Sequence, residues 1–80
     1  MDKLNALSAF VHVVEQQSFT KAAQILNLPR STLTDAIKQL EVQLNTRLLF
    51  RTTRQVRTTD EGQIYYERCK YVLDYINESD

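Results

Sequence analysis

"LNLPRSTLTD", residues 26–35, decides the fold. Ahead of it, Phe19, Ala22, Ala23 and Leu26 fall at i, i+3, i+4 and i+7, one face of a short helix. Beyond it, Leu33, Ile37, Leu40 and Leu44 fall at i, i+4, i+7 and i+11, a cleaner stripe on a longer helix. Asn27 tolerates the left-handed conformation that often ends helices. Leu28 is turned away from helical dihedrals by the proline that follows it. Pro29 suits a first turn, where a missing N–H costs nothing. Two helices therefore meet across the few residues from Asn27 to Arg30, and a connector that short fixes the angle between them. The first reads as Ser18 to Leu26, with Ser18 as N-cap, and its paired alanines let another helix come close. The second reads as about 30–44. Opposite its Leu/Ile stripe stand Ser31, Thr34, Asp35 and Lys38, again at i, i+3, i+4 and i+7, all polar. Val42 fits neither stripe and reads as a surface residue.

Upstream, Leu4, Leu7, Val11 and Val14 make a helical stripe over residues 3–16, widened by Phe10 and Val13. Downstream of Asn45-Thr46-Arg47 the period changes. Leu48-Leu49-Phe50 and Val56-Arg57-Thr58 are short β-compatible runs around the basic loop Arg51-Thr52-Thr53-Arg54-Gln55, a small hairpin. Thr59-Asp60-Glu61 looks like a cap followed by first-turn acids, opening a fourth helix to about Asn77, ~27 Å long. Tyr65, Cys69, Val72 and Ile76 form one stripe on it, while Ile64, Tyr66, Tyr71, Leu73 and Tyr75 spread apolar surface round the rest. A helix apolar on several sides must be buried on several sides, so part of it needs a partner.

Eighty residues make a single small domain. A 42% hydrophobic content argues for a folded chain. The single Cys69 rules out an internal disulfide and fits a reducing cytoplasm. No apolar run approaches the roughly 20 residues of a membrane helix, and Met1-Asp2-Lys3-Leu4-Asn5 has no secretory pattern. The formal net charge is +0, yet it is unevenly spread. Residues 18–57 hold seven cations (Lys21, Arg30, Lys38, Arg47, Arg51, Arg54, Arg57) against Asp35 and Glu41, a balance of +5. Residues 58–80 hold Arg68 and Lys70 against Asp60, Glu61, Glu67, Asp74, Glu78 and Asp80, a balance of −4. A basic middle and an acidic tail suggest a surface for an anion and a region kept off it.

Two helices joined by a tight turn, the first short and alanine-faced, form a helix-turn-helix. In that unit the second helix enters the major groove of B-DNA. Hydroxyls suit such a place, because Ser and Thr both donate and accept, and a Thr methyl can touch a thymine methyl. Lys21 and the capped start of the short helix would lie beside phosphates, and the hairpin resembles a wing carrying Arg54 onto an adjacent groove. Asp35 either faces solvent or accepts from a cytosine amino group. Each feature has a blander counterpart: helix-turn-helix units also occur in proteins that never meet DNA, and a basic loop is often only a solvated turn. Polar face, basic loop and acid-poor flank coincide on the same 40 residues, which favours DNA. The alternative is a protein-interaction module docking through the Tyr-rich fourth helix, which predicts no DNA affinity at any salt. Catalysis is the poorest reading. His12 has no carboxylate or second ligand at metal spacing, Cys69 reads as a packing residue, and no acid pair converges, so no catalytic, metal or cofactor site is expected.

The stretch from Phe10 to Gly62 resembles the N-terminal winged helix-turn-helix of LysR-type transcriptional regulators, and the likeness continues into the fourth helix. Ser18-Phe19 with Ala22-Ala23, Leu33 through Ile37 to Leu40-Glu41, and Arg51-Thr52…Thr59…Gly62 carry it. The resemblance implies a mainly α fold: a three-helix core with a short two-stranded wing, then a long linker and dimerisation helix. Domain bounds follow as 1–58 for the DNA-binding unit and 59–80 for the linker helix. It implies a cytoplasmic bacterial regulator without a cofactor, binding interrupted palindromes as a homodimer or homotetramer. A small-molecule effector would act only through a C-terminal domain, and the acidic, capless end at Asn77-Glu78-Ser79-Asp80 fits a chain cut at the linker as well as a naturally short one. By position, Arg30, Ser31, Thr32, Thr34, Asp35 and Lys38 would face bases. Ser18, Thr20, Lys21, Arg51, Thr53, Arg54 and Arg57 would face the backbone or minor groove, and Tyr65, Cys69, Val72, Leu73 and Ile76 the dimer partner. Three departures stand out: Asp35 where a basic or amide residue is frequent, Pro29 for a polar cap, and Asn45 and Thr53 where glycine is common.

Overall fold

The computed structural model describes residues 1–50 and 55–79, the side chains of 78 and 79 excepted. Four helices, α1 (Lys3–Gln16), α2 (Phe19–Leu26), α3 (Arg30–Leu44) and α4 (Asp60–Ser79), are joined by a two-stranded ribbon, β1 (Leu49–Phe50) and β2 (Arg57–Thr58), between α3 and α4. Local chemistry sets the helix starts. Asp2 accepts from the Asn5 amide at 2.8 Å and Ser18 from the Lys21 amide at 3.1 Å, each satisfying a first-turn donor. The first three helices all end in left-handed residues that are not glycine: Gln17, Asn27 and Asn45. Pro29 occupies the cap position of α3 with extended dihedrals and no side-chain hydrogen bond, so its fixed φ stands where a polar cap would.

The core is Phe10, Val13, Leu33, Ile37, Leu40, Leu48 and Leu49, all essentially inaccessible. Ala9, Ala22 and Ala23 lie within it, and their methyl faces bring α1 and α2 close. The buried face of α1 differs from the expected stripe. Ala6, Ala9, Phe10, Val11 and Val13 point inward while Leu4 is exposed, because two neighbouring helices and α4 share that side. The antiparallel ribbon pairs Leu49 with Thr58 and Phe50 with Arg57, each strand shorter by one residue than its apolar run.

Two side chains fasten the ribbon to the helices. The Glu41 Oε2 of α3 accepts from the Leu48 amide at 2.8 Å and the Leu49 amide at 3.2 Å. Thr59 caps α4 by accepting from the Gly62 amide at 3.0 Å, and its hydroxyl donates to the Arg47 carbonyl at 2.6 Å. The Val56 amide also donates to the Gln17 carbonyl, at 3.4 Å, tying the ribbon to the end of α1.

Helix α4 is strapped along α1. The Phe10 and Tyr65 rings sit 5.8 Å apart, and the Tyr66 hydroxyl donates to Glu15 Oε2 at 2.8 Å. Lys70 lies 3.6 Å from the same carboxylate and 3.5 Å from Asp74. The hydrogen bond to Glu15, and then partial burial, push the Tyr66 phenol from 10.0 up to about 12. A raised folded-state value means that the stabilisation is present below the unfolded value of 10.0 and is lost as pH rises through about 12. Ultraviolet titration should therefore find a late-ionising tyrosine that Tyr66→Phe removes. If all four tyrosines of the wild type ionise together near the unfolded value, the Glu15 contact does not persist in solution.

Candidate nucleic-acid interface

Helix α3 has two opposed faces. Leu33, Ile37 and Leu40 are locked in the core, whereas Arg30, Ser31, Thr32, Asp35 and Lys38 are exposed and Thr34 is half-buried. None of the hydroxyl or charged tips is occluded, as a groove-reading face requires. Glu41 has turned inward onto the ribbon amides, which leaves Asp35 as the acid between Arg30 and Lys38 on the outward side. Arg30 Nη1 donates to Thr20 Oγ1 at 3.4 Å, so the starts of α2 and α3 are neighbours on one surface. Pro29 supplies no side-chain cap to the first-turn amides of α3. Val42 is 78% exposed, as an off-stripe residue should be.

Among the backbone-facing candidates, Thr20, Lys21 and Arg57 are exposed, while Ser18 is half-buried and its hydroxyl already serves the Lys21 amide. Arg57 borders a cleft with Gln17, Val56 and Gln63, which sets it beside the junction of α1 and α2. Arg51, Thr53 and Arg54 lie outside the described residues.

The partner-facing candidates on α4 divide. Cys69 is 3% exposed, Tyr65 packs on Phe10, and Leu73 packs against the same core, so these three serve the chain's own interior. Burial pushes the Cys69 thiol up, against smaller opposing effects of Tyr65 and Lys3. Val72 and Ile76 do face outward, and Ile64, Tyr71 and Tyr75 join them on the exposed side. The inward face is Gly62, Tyr65, Tyr66, Cys69 and Leu73, which keeps Tyr65 and Cys69 of the expected stripe and replaces Val72 and Ile76. His12 is absorbed by its own helix: Nδ1 lies 2.8 Å from the Ser8 carbonyl, which requires the proton on that nitrogen. Among the described residues no group of His, Cys, Asp and Glu could hold a metal ion. Glu41 and Gly62 position the interface, and the sequence pattern assigned neither a contact. Gly62 lies against the Leu48 carbonyl with no room for a Cβ, and its signals were being the chain's only glycine and closing the Thr59…Gly62 motif.

Comparison with known proteins agrees with this geometry. Residues 4–63 match the family model described as bacterial regulatory helix-turn-helix protein, lysR family. An uncharacterised HTH-type transcriptional regulator of Haemophilus influenzae is 48% identical over 80 residues, all of this chain and 28% of that protein. An HTH-type transcriptional repressor of Pseudomonas aeruginosa is 44% identical over 78 residues, 98% of this chain and 25% of that protein. The chain thus spans about a quarter of the length of these curated relatives. Among solved structures, the BenM_DBD/catB site 1 DNA complex superposes with a TM-score of 0.94 at 40% identity, covering 98% of this chain and 87% of that one. The chain belongs to the lysR family of bacterial regulatory helix-turn-helix proteins and forms that family's winged helix-turn-helix domain.

Proposed function

We propose that the chain binds double-stranded DNA in a sequence-specific way, with α3 in the major groove and the 51–57 hairpin on the adjacent backbone or minor groove. The observation that carries this reading is the outward set Arg30, Ser31, Asp35 and Lys38 on a helix whose other side is fully committed to the core. A similar fold at 40% identity is seen with DNA in the BenM complex. Arg30 and Lys38 suit guanine edges or phosphates, the hydroxyls suit either partner in a base pair, and Asp35 suits a cytosine amino group. The exposed side of α4, with Val72 and Ile76 at its centre, suits a second copy, so that two reading helices address two half-sites. The role is binding and not catalysis. The full regulator acts in the cytoplasm and takes any small-molecule signal through a further domain. Among the described residues, no helix is long and apolar enough to cross a membrane.

Fluorescence anisotropy on duplexes enriched from a randomised library tests the reading. Affinity should fall steeply with salt as phosphate contacts release counterions. Lys38→Ala should cost about 1–3 kcal/mol if the ammonium meets a base, with discrimination relaxed at that base pair. A flat salt response, or no enrichment of any sequence, would exclude the DNA assignment. The protein-docking alternative would then gain ground through the exposed tyrosines of α4.

A further inference from the structure

The ribbon carries an aromatic side chain that the fold does not use. In an antiparallel ladder, residues directly opposite project to the same face with Cβ atoms about 5 Å apart. Leu49, opposite Thr58, is wholly buried, so that face is the inner one. The outer face therefore holds Phe50 and its opposite number Arg57, and Phe50 is left 52% exposed. Leu48 and Leu49 already close the core at this end, so the phenyl ring is not needed there. Its sequence neighbourhood is mainly cationic: from Val42 to Thr59 there are four arginines (Arg47, Arg51, Arg54, Arg57) and no carboxylate, and the nearby Glu41 is engaged by the Leu48 and Leu49 amides. An exposed apolar ring paired with a cation on one face matches a polyanion whose charged rails flank apolar sugar and base surfaces.

We propose that Phe50 is a DNA-contacting residue. Its ring lays against deoxyribose and base edges at the mouth of the groove beside the ribbon, while Arg57 next to it meets phosphate. The inference rests on the DNA-binding reading above and adds to it a non-ionic, sequence-tolerant contact, since every nucleotide of a duplex presents a deoxyribose whatever its base. Phe50 would thus raise affinity for any duplex held in register by α3, without choosing among bases.

The test uses the 80-residue chain and a fluorescein-labelled duplex taken from the library pool that the unsubstituted chain enriches. Phe50→Ala should weaken binding about tenfold, as expected for losing much of an aromatic burial. Phe50→Gln, which keeps a long side chain, should lose as much, and Phe50→Leu should retain most of the affinity. The slope of log K against log salt should stay at the wild-type value in all three, because no phosphate contact is lost. Arg57→Ala should instead lower that slope by about one. Wild-type affinity in both Phe50→Ala and Phe50→Gln overturns the proposal. A salt slope reduced by Phe50→Ala also overturns it, since the ring would then act only by holding Arg57. So does a loss that follows dissociation of the homodimer in sedimentation, which would give the ring to a second copy. Failure of the unsubstituted chain to enrich any duplex would sink the DNA reading and this contact together, whereas a silent Phe50 alone leaves that reading intact.

Discussion

Gly62→Ala should cost the domain about 3–5 kcal/mol, a large part of the roughly 4–12 kcal/mol that a chain of this length holds. A Cβ at Gly62 would stand 1.9 Å from the Leu48 carbonyl oxygen and 2.8 Å from its carbon. Both are backbone atoms, so no rotamer change relieves the clash. The cause is contact and not dihedral freedom, because Gly62 has an ordinary helical φ. Nor can Leu48 retreat cheaply. Its carbonyl accepts from the Thr59 amide at 3.0 Å and its amide donates to Glu41 at 2.8 Å. Backing away breaks the joint between α3, the ribbon and α4 and gives up the hydrogen bonds of the Leu48 and Thr59 amides. Urea unfolding followed by far-ultraviolet circular dichroism measures the loss. A change below about 1 kcal/mol would mean that the ribbon base slides freely and that this close approach is incidental.

The second large effect is where α4 packs on α1. Phe10→Ala should destabilise by about 3–5 kcal/mol, because the ring is completely buried and its removal leaves a cavity between α1 and α4. The tilted contact with Tyr65, at 5.8 Å and 55°, goes with it. Helix α4 then loses its aromatic anchor, so amides over residues 65–73 should exchange hydrogen faster than those of α3. A loss under about 2 kcal/mol, or equal exchange in both helices, would show that neighbouring side chains refill the space.

Local chemistry was legible in the sequence. Ser18, Asn27 and Thr59 mark their helix ends by side-chain type, and the Leu33–Ile37–Leu40 stripe could face only one way, so α2, α3 and the exposed polar face of α3 follow from the residues alone. Helix α4 was harder. With apolar residues nearly all round it, overlapping stripes compete, and periodicity cannot say which one the domain keeps. Tyr65, Cys69 and Leu73 turned inward because Phe10 and the end of α1 wait there, a fact of tertiary placement. Glu41 was missed for a related reason. On a helical wheel it is a surface acid, and its partners lie beyond the helix end, in residues whose amides become available only once the chain has turned.

The long strap of α4 along α1 has a mechanical consequence. Phe10–Tyr65, Glu15–Tyr66 and Glu15–Lys70 grip two adjacent turns of the rod instead of a single point. Swivelling the rod alone would have to tear all three at once, so a torque applied at its far end turns the three-helix head as a unit. Gearing of that kind makes the rod's own orientation, and not slack at a hinge, the quantity that sets where α3 points.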